Sequence, residues 1–123
     1  MTETKVVDAS AAAAVIFDEP NGNAVALALE GHRLVAPSLL GFELANVCMM
    51  KCRRFPAERA TTLAMYALRD QLHIEEMAVD HDGVIALAAE TGLTAYDASY
   101  LWLARRLGAE LVTLDAALLR AAS

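Results

Sequence analysis

Apolar residues follow two patterns along this chain, short runs and longer segments with helical spacing. Short runs rich in Val, Leu and Ile predict strands, whereas apolar residues three and four positions apart predict helices. The predicted strands span residues 5–8, 33–36, 74–79 and 110–114. The predicted helices span residues 10–17, 23–30, 38–53, 56–71, 80–92 and 94–107, with a short last helix from residue 115. Strands and helices therefore alternate.

Capping and breaking residues set the expected ends of these helices. Ser10, Ser38 and Thr94 each stand where a side-chain oxygen could accept a backbone N–H and cap the helix. Gly92 and Gly108 stand where the helical patterns end, and glycine is the residue that most easily adopts the left-handed conformation found there. The boundaries are thus predicted independently of the apolar spacing.

The alternation of strands and helices predicts the fold. A strand, a crossover helix and a second strand form a right-handed unit with parallel strands, so we expect an α/β fold with a short, mostly parallel sheet flanked by helices. A length of 123 residues suits one domain spanning residues 1–123.

Composition and charge exclude several classes of protein. With 57% hydrophobic residues, the chain is too apolar for a disordered protein. A formal net charge of −6 argues against attraction to polyanions through the overall field, although a local basic patch could still bind nucleic acid. No apolar run is long enough to span a membrane, and residues 1–7 do not resemble a signal peptide, so we expect a cytoplasmic protein that does not enter membranes. Cys48 and Cys52 are predicted to be buried.

Four acids are candidates for chemistry. Asp8 and Asp115 follow predicted strands, and ligands of parallel sheets bind beyond the carboxyl ends of the strands. Glu43 lies on or beside an apolar helical stripe, where an ionised carboxylate is costly without a partner. Each acid also has a purely structural interpretation: Asp8 and Asp115 could be N-caps, Asp97 could belong to a capping box after Thr94, and Glu43 could lie at the edge of a buried face. Residues 9–14 contain no glycine, which argues against a phosphate-binding loop.

Four segments resemble, in order and at typical separations, the successive motifs of PIN domains. They are Val6-Val7-Asp8-Ala9-Ser10, Pro37-Ser38 with Glu43-Leu44-Ala45-Asn46, Thr94-Ala95-Tyr96-Asp97-Ala98-Ser99-Tyr100-Leu101, and Leu111-Val112-Thr113-Leu114-Asp115. The resemblance covers essentially the whole chain and is strongest to the compact VapC-type toxins of toxin–antitoxin systems. Ser123 ends the sequence before the family's usual final strand, so we expect a shortened sheet edge.

This resemblance implies a metal-dependent endoribonuclease. Its acidic cluster would be Asp8, Glu43, Asp97 and Asp115, assisted by the hydroxyl groups of Ser10 and Thr113. Mg²⁺ or Mn²⁺ would bind mainly to Asp8 and Asp97, with Asp115 completing the site or supporting a second ion, because both cations prefer oxygen ligands. Glu43 would bind the metal through water or help to deprotonate the nucleophile, and the sequence does not separate these roles.

The expected partners are RNA, an antitoxin and a second copy of the chain. Lys51, Arg53, Arg54 and Arg59 could hold the RNA backbone, although basic residues near helix C-termini also offset the helix dipole. The resemblance implies a homodimer, and the apolar side chains of two adjacent helices predict an interface. These side chains are Met49, Met50, Phe55, Met65, Tyr66 and Leu68.

The resemblance also implies a VapB-type antitoxin. It could bind apolar residues of the first two helices or insert an Arg among the carboxylates. The apolar candidates are Val15, Ile16, Phe17, Val25, Leu27 and Leu29, most of which we expect in the domain's own core. We interpret Tyr96, Tyr100 and Trp102 as core or interface residues rather than as platforms on which bases stack.

Three alternatives compete with the nuclease. A receiver-type phosphoacceptor domain would use Asp80 after the third strand, but it also needs a lysine after a later strand, and no Lys follows Lys51. A haloacid-dehalogenase-like phosphatase would need an acid where Ser10 stands. A non-catalytic interaction scaffold remains open, and it would leave the four acids without a role.

Overall fold

A four-stranded parallel sheet forms the centre of the computed structural model, which describes residues 3–123. The strands are β1 (Thr4–Val7), β2 (Arg33–Pro37), β3 (Ile74–Met77) and β4 (Glu110–Val112). Their order across the sheet is β3-β2-β1-β4, and every neighbouring pair is parallel. The α/β fold predicted from the sequence is confirmed.

Seven α-helices connect and follow these strands within residues 3–123. They are α1 (Ala9–Ile16), α2 (Gly22–Leu29), α3 (Leu40–Arg54), α4 (Arg59–Ala67), α5 (His81–Thr91), α6 (Ala95–Leu107) and α7 (Ala116–Ala122). The continuous helix predicted over residues 56–71 is wrong, because 3₁₀ turns at Pro56–Glu58 and Arg69–Leu72 flank α4. The last of these turns ends at His73, whose φ of 52° is left-handed.

Two predicted N-caps are corrected. Asp8, and not Ser10, caps α1, and its carboxylate accepts the backbone N–H of Ala11 at 2.9 Å. Ser38 lies before the N-cap position of α3, and its hydroxyl donates to the carbonyl of Met77 at 3.2 Å. The predicted cap at Thr94 is confirmed, since its hydroxyl oxygen accepts the N–H of Asp97.

Helices cover both faces of the sheet. Val6 and Val7 are adjacent in β1 and therefore point to opposite faces, yet both are fully buried. Helix α6 packs against β1, β2 and β4 and against α5 and α7, whereas α1 packs against α2 and α3. Cys48 and Cys52 are buried, as predicted. No helix within residues 3–123 combines the length and apolar character needed to cross a membrane.

The strand order creates a switch point beside β1, where the chain changes direction across the sheet. The chain moves from β1 to β2 and β3 on one side, and it returns to the other side of β1 as β4. The connections that follow β1 and β4 therefore diverge. In open parallel sheets this point, at the carboxyl ends of the strands, is where ligands bind.

Candidate active site

Asp8 lies at the carboxyl end of β1 and is only 4% exposed. One of its oxygens, Oδ1, accepts the Ser10 hydroxyl at 2.7 Å and the Ala11 N–H at 2.9 Å. The other oxygen, Oδ2, accepts the Thr113 hydroxyl at 2.5 Å. Three donors thus fix the orientation of a buried carboxylate.

Ser10 and Thr113 join the ends of β1 and β4. The Ser10 hydroxyl oxygen accepts the N–H of Leu114 at 2.9 Å, and the Thr113 hydroxyl oxygen accepts the N–H of Asp115 at 3.0 Å. Each hydroxyl donates to Asp8 while accepting from the segment after β4. The position of Asp8 is consequently tied to residues more than 100 positions later in the chain.

Asp97 and Asp115 lie at helix N-termini on the same edge of the sheet. Asp97 occupies the first turn of α6. Asp115 is the N-cap of α7, and its Oδ1 accepts the N–H of Leu118 at 2.8 Å. The structural interpretation of Asp115 as an N-cap is therefore correct, and it leaves Oδ2 available to a ligand.

Glu43 enters from the first turn of α3 and is half-buried. Its Oε1 accepts a hydrogen bond of 2.6 Å from the hydroxyl of Tyr100, a residue that is 1% exposed in α6. Tyr100 lies one helical turn after Asp97, so the two residues share a face of α6. That face brings one acid and one hydroxyl donor to the site.

The carboxylates influence one another through charge. Burial is the largest cause that raises the pKa of Asp8, Glu43 and Asp97 above their ordinary values. Repulsion adds to it: Asp115 raises the pKa of Asp8 and of Asp97, and Asp97 raises that of Glu43. The structure thus brings the four predicted acids, together with Ser10 and Thr113, to one sheet edge.

The donor set suits a hard divalent cation. Mg²⁺ and Mn²⁺ prefer carboxylate oxygens, and Mg²⁺ usually keeps several waters while binding one or two carboxylates. Within residues 3–123, no three His, Cys, Asp or Glu side chains are grouped closely enough to hold one ion together. This arrangement agrees with an ion that retains much of its water.

The predicted basic residues lie away from these acids. Arg53 follows Glu43 by ten residues in α3, which corresponds to about 15 Å along the helix axis. Lys51 forms an ion pair of 3.2 Å with Glu19, and the Arg54 guanidinium lies over the Phe55 ring. Arg59 begins α4 and is exposed. The structure therefore does not bring these four residues together with the acidic cluster.

Sequence reasoning missed the hydrogen bond of Tyr100. Tyr100 is a core residue, as predicted, but its hydroxyl also contacts Glu43. Its spacing of three from Asp97 was the available signal. Tyr96 is 68% exposed, so it is not a core residue, and its place at an interface stays a prediction.

Comparison with known proteins places these features in a wider group. The PIN domain family matches residues 5–123. A curated relative, Ribonuclease VapC3 of Pyrobaculum aerophilum, is 34% identical over an alignment of 118 residues that covers 89% of this chain and 88% of the relative. The crystal structure of PAE2754, also from Pyrobaculum aerophilum, is similar with a TM-score of 0.77 and 27% identity, over 97% of this chain and 79% of that one.

Proposed function

Because the chain belongs to the PIN domain family, we propose that it is a ribonuclease and the toxin of a VapBC-type toxin–antitoxin pair. The similarity to Ribonuclease VapC3 over most of both chains supports this assignment. We propose that residues 1–123 form one nuclease domain that acts in the cytoplasm.

One observation carries the proposal, namely the meeting of four acids from four separate segments. The four acids are far apart in the sequence, so only the fold brings them to one edge of the sheet. They are Asp8, Glu43, Asp97 and Asp115. Their mutual repulsion disfavours full ionisation of the cluster. Asp8 and Asp115 stabilise helices as N-caps, but the repulsion among the four charges costs stability. A divalent cation would remove this repulsion and could in turn bind a phosphodiester.

We propose that Asp8 and Asp97 are the main ligands of Mg²⁺ or Mn²⁺ and that Asp115 contacts the ion through a bound water or supports a second ion, since no three acids of residues 3–123 are close enough to hold one ion directly. When bound, the cation would neutralise the carboxylates, activate a water as nucleophile and stabilise charge on the phosphodiester oxygens. Asp8 suits a ligand because three hydrogen bonds already hold it in one orientation.

Glu43 suits proton transfer. Tyr100 occupies its Oε1, so Oε2 is the atom that would accept a proton from the attacking water. Burial and the nearby Asp97 raise the pKa of Glu43, which brings its proton affinity closer to what a general base needs near neutral pH. Ser10 and Thr113 act on Asp8 and keep the β1 and β4 ends together.

The RNA backbone would extend from the acids towards the basic end of α3. Arg53, Arg54 and Arg59 are exposed there and would contact phosphates about 15 Å from Glu43. Lys51 forms an ion pair with Glu19, so we expect it to contribute least to RNA binding.

We further propose a VapB-type antitoxin and a homodimer. Of the six apolar residues considered for the antitoxin, Leu27 is strongly exposed. It borders a groove of about 580 Å³ that is also lined by Ala26, Leu34 and Leu72. On α3 and the turn after it, Met49, Met50 and Phe55 are exposed, as is Leu68 after α4, and these would meet a second copy. Light scattering that shows a monomer at every concentration would contradict the dimer.

The alternative functions differ in what the acids do. This chain lacks the lysine that a receiver-type domain requires, and it belongs to the PIN family instead. A non-catalytic scaffold of the PIN fold would keep the same architecture, and only an activity measurement separates it from a nuclease.

The experiment measures cleavage of total cellular RNA by the purified chain. We expect cleavage with Mg²⁺ or Mn²⁺ and none in chelator, and we expect Asp8→Asn to lose most activity while its circular dichroism stays native. Asp82→Asn is the matched control, since Asp82 is an exposed acid in the first turn of α5. Cleavage that persists in chelator would refute the metal mechanism, and a folded wild type that cleaves no RNA with either metal would favour the scaffold.

A further inference from the structure

Exposed apolar residues border the acidic cluster. Phe42 immediately precedes Glu43 and is 84% exposed, the highest value among the large exposed hydrophobic residues of the described chain. Tyr96 immediately precedes Asp97 and is 68% exposed. Leu114, before Asp115, is also exposed. Single exposed apolar residues are common on proteins, but here they accompany three of the four acids.

The two aromatic residues lie on different elements and border the same cluster. Phe42 belongs to the first turn of α3 and Tyr96 to the first turn of α6. The Tyr100 hydroxyl of α6 donates to Glu43 of α3 at 2.6 Å, so the N-terminal parts of the two helices meet. The two exposed rings therefore lie on the same helical turns as Glu43 and Asp97.

Electrostatic attraction from side chains is weak at this place. Among residues 3–123, the three ion pairs join Lys5 to Glu110, Arg33 to Glu75 and Lys51 to Glu19, so none involves the four acids. The exposed arginines of α3 lie about 15 Å away along the helix. At the acids themselves, a nucleotide would therefore be held by the proposed cation and by contacts that do not depend on positive side chains.

We propose that Phe42 and Tyr96 are stacking platforms for unpaired bases that flank the scissile phosphodiester. This inference rests on the proposed ribonuclease function and assigns a binding role to residues outside the acidic cluster. Flat aromatic rings offer a face to any base, and such stacking requires bases that are not already stacked in a duplex. Aliphatic side chains lack a π-face, so Leu114 is left out of this role.

The test uses a short single-stranded RNA that spans a cleavage site mapped with wild-type protein. We expect Phe42→Ala and Tyr96→Ala each to raise the KM for this RNA about fivefold or more, as loss of one stacked base predicts, with a smaller effect on kcat. Phe42→Trp should keep a KM near the wild-type value. Ile85→Ala, which removes an exposed apolar side chain from α5, is the control and should leave KM unchanged.

An RNA that lacks one base tests whether the aromatic rings contact bases. The same RNA is made with an abasic nucleotide on one side of the cleavage site and then on the other. We expect each alanine variant to lose its effect on one of these substrates, because the stacking partner is already gone. The inference is overturned if both variants keep a KM within twofold of wild type, or if their losses are the same on abasic RNA.

The remaining outcomes are also informative. A variant that instead changes the oligomeric state in light scattering would show that the aromatic residues form a protein interface, which overturns the inference. If wild type cleaves RNA and the variants match it, the ribonuclease function stands and only the stacking role fails. If wild type cleaves nothing, both fail together.

Discussion

Asp8 caps a helix with the same carboxylate that we propose as a metal ligand. It caps α1 through the Ala11 N–H and receives hydroxyl donors from Ser10 and Thr113. These hydrogen bonds lower its pKa, whereas burial raises it more strongly. A residue that is fixed yet costly to ionise suits a cation ligand, and its capping role explains why the sequence alone supports both interpretations.

Tyr100 gives the first prediction. Tyr100→Phe removes the hydroxyl that donates to Glu43, and that hydrogen bond lowers the pKa of Glu43. We therefore expect the pKa of Glu43 to rise and the acidic limb of the kcat–pH profile to move to higher pH. The loss of a hydrogen bond to a charged group should also lower the free energy of unfolding by about 1–2 kcal/mol.

Tyr66→Phe is the matched control, since Tyr66 is a half-buried tyrosine of α4, far along the chain from the acids. Its kcat–pH profile should equal that of wild type. If Tyr100→Phe lowers stability but leaves the acidic limb in place, Tyr100 is only a structural residue.

The helices and strands were predictable where local pattern and tertiary structure agree. Val6 and Val7 predicted β1, and Gly92 and Gly108, both with positive φ, end α5 and α6 as expected. Ser10 was a plausible cap by type, but Asp8 lies one position before α1 and reaches its first turn. The sequence offers several capping oxygens, and the direction of the chain leaving β1 selects among them.

The sequence predicted which acids meet at the site, but it did not predict which apolar residues around them are exposed. Strand ends and motif spacing placed Asp8 and Asp115 at one edge. The exposure of Phe42 was not predictable, because its neighbours Leu40 and Leu44 are buried and helical spacing alone does not locate the edge of the apolar stripe. Which apolar residue remains exposed depends on how α3 is rotated against its neighbours.

Gly22 gives a prediction about the contact between α1 and α2. A Cβ at Gly22 would collide with the backbone carbonyl of Ala14, which cannot move aside without shifting α1. Gly22→Ala should therefore lower the free energy of unfolding by about 1–3 kcal/mol, even though alanine favours helix. Chemical denaturation followed by circular dichroism measures this change.

Gly41→Ala is the matched comparison in α3. Its Cβ would meet only the Glu76 carboxylate, at 3.4 Å, which is ordinary contact. Since glycine costs helices up to about 1 kcal/mol relative to alanine, this variant should be neutral or more stable. Equal behaviour of the two variants would show that the α1–α2 contact is looser than described.

The raised pKa values of the acidic cluster predict that the stability of the whole protein depends on pH. Asp8, Glu43 and Asp97 have pKa values raised above those of the unfolded chain, which lie near pH 4. Their contribution to stability is fully present below the unfolded values and is lost as pH rises through the raised ones. In chelator, Asp97→Asn should therefore unfold at a higher temperature than wild type at pH 7, and the difference should shrink towards pH 4.

We expect metal to act in the opposite direction. If Mg²⁺ or Mn²⁺ binds the folded protein as proposed, it should raise the unfolding temperature of wild type at pH 7 and raise that of Asp97→Asn less. Asp82→Asn should respond to metal as wild type does. If Asp97→Asn is no more stable than wild type in chelator, the carboxylates do not repel one another as described.

The hydrogen bond between Thr113 and Asp8 joins positions 105 residues apart, and this separation affects when the site can form during translation. Ribosomes add about 5–20 residues per second, so roughly 5–20 s pass between the synthesis of Asp8 and that of Thr113. During that time the nascent chain has β1 and its first acid, but it lacks β4, Thr113 and Asp115. The nuclease that we propose therefore cannot be complete until the ribosome has added Thr113 and Asp115, and we expect every shorter nascent chain to be inactive.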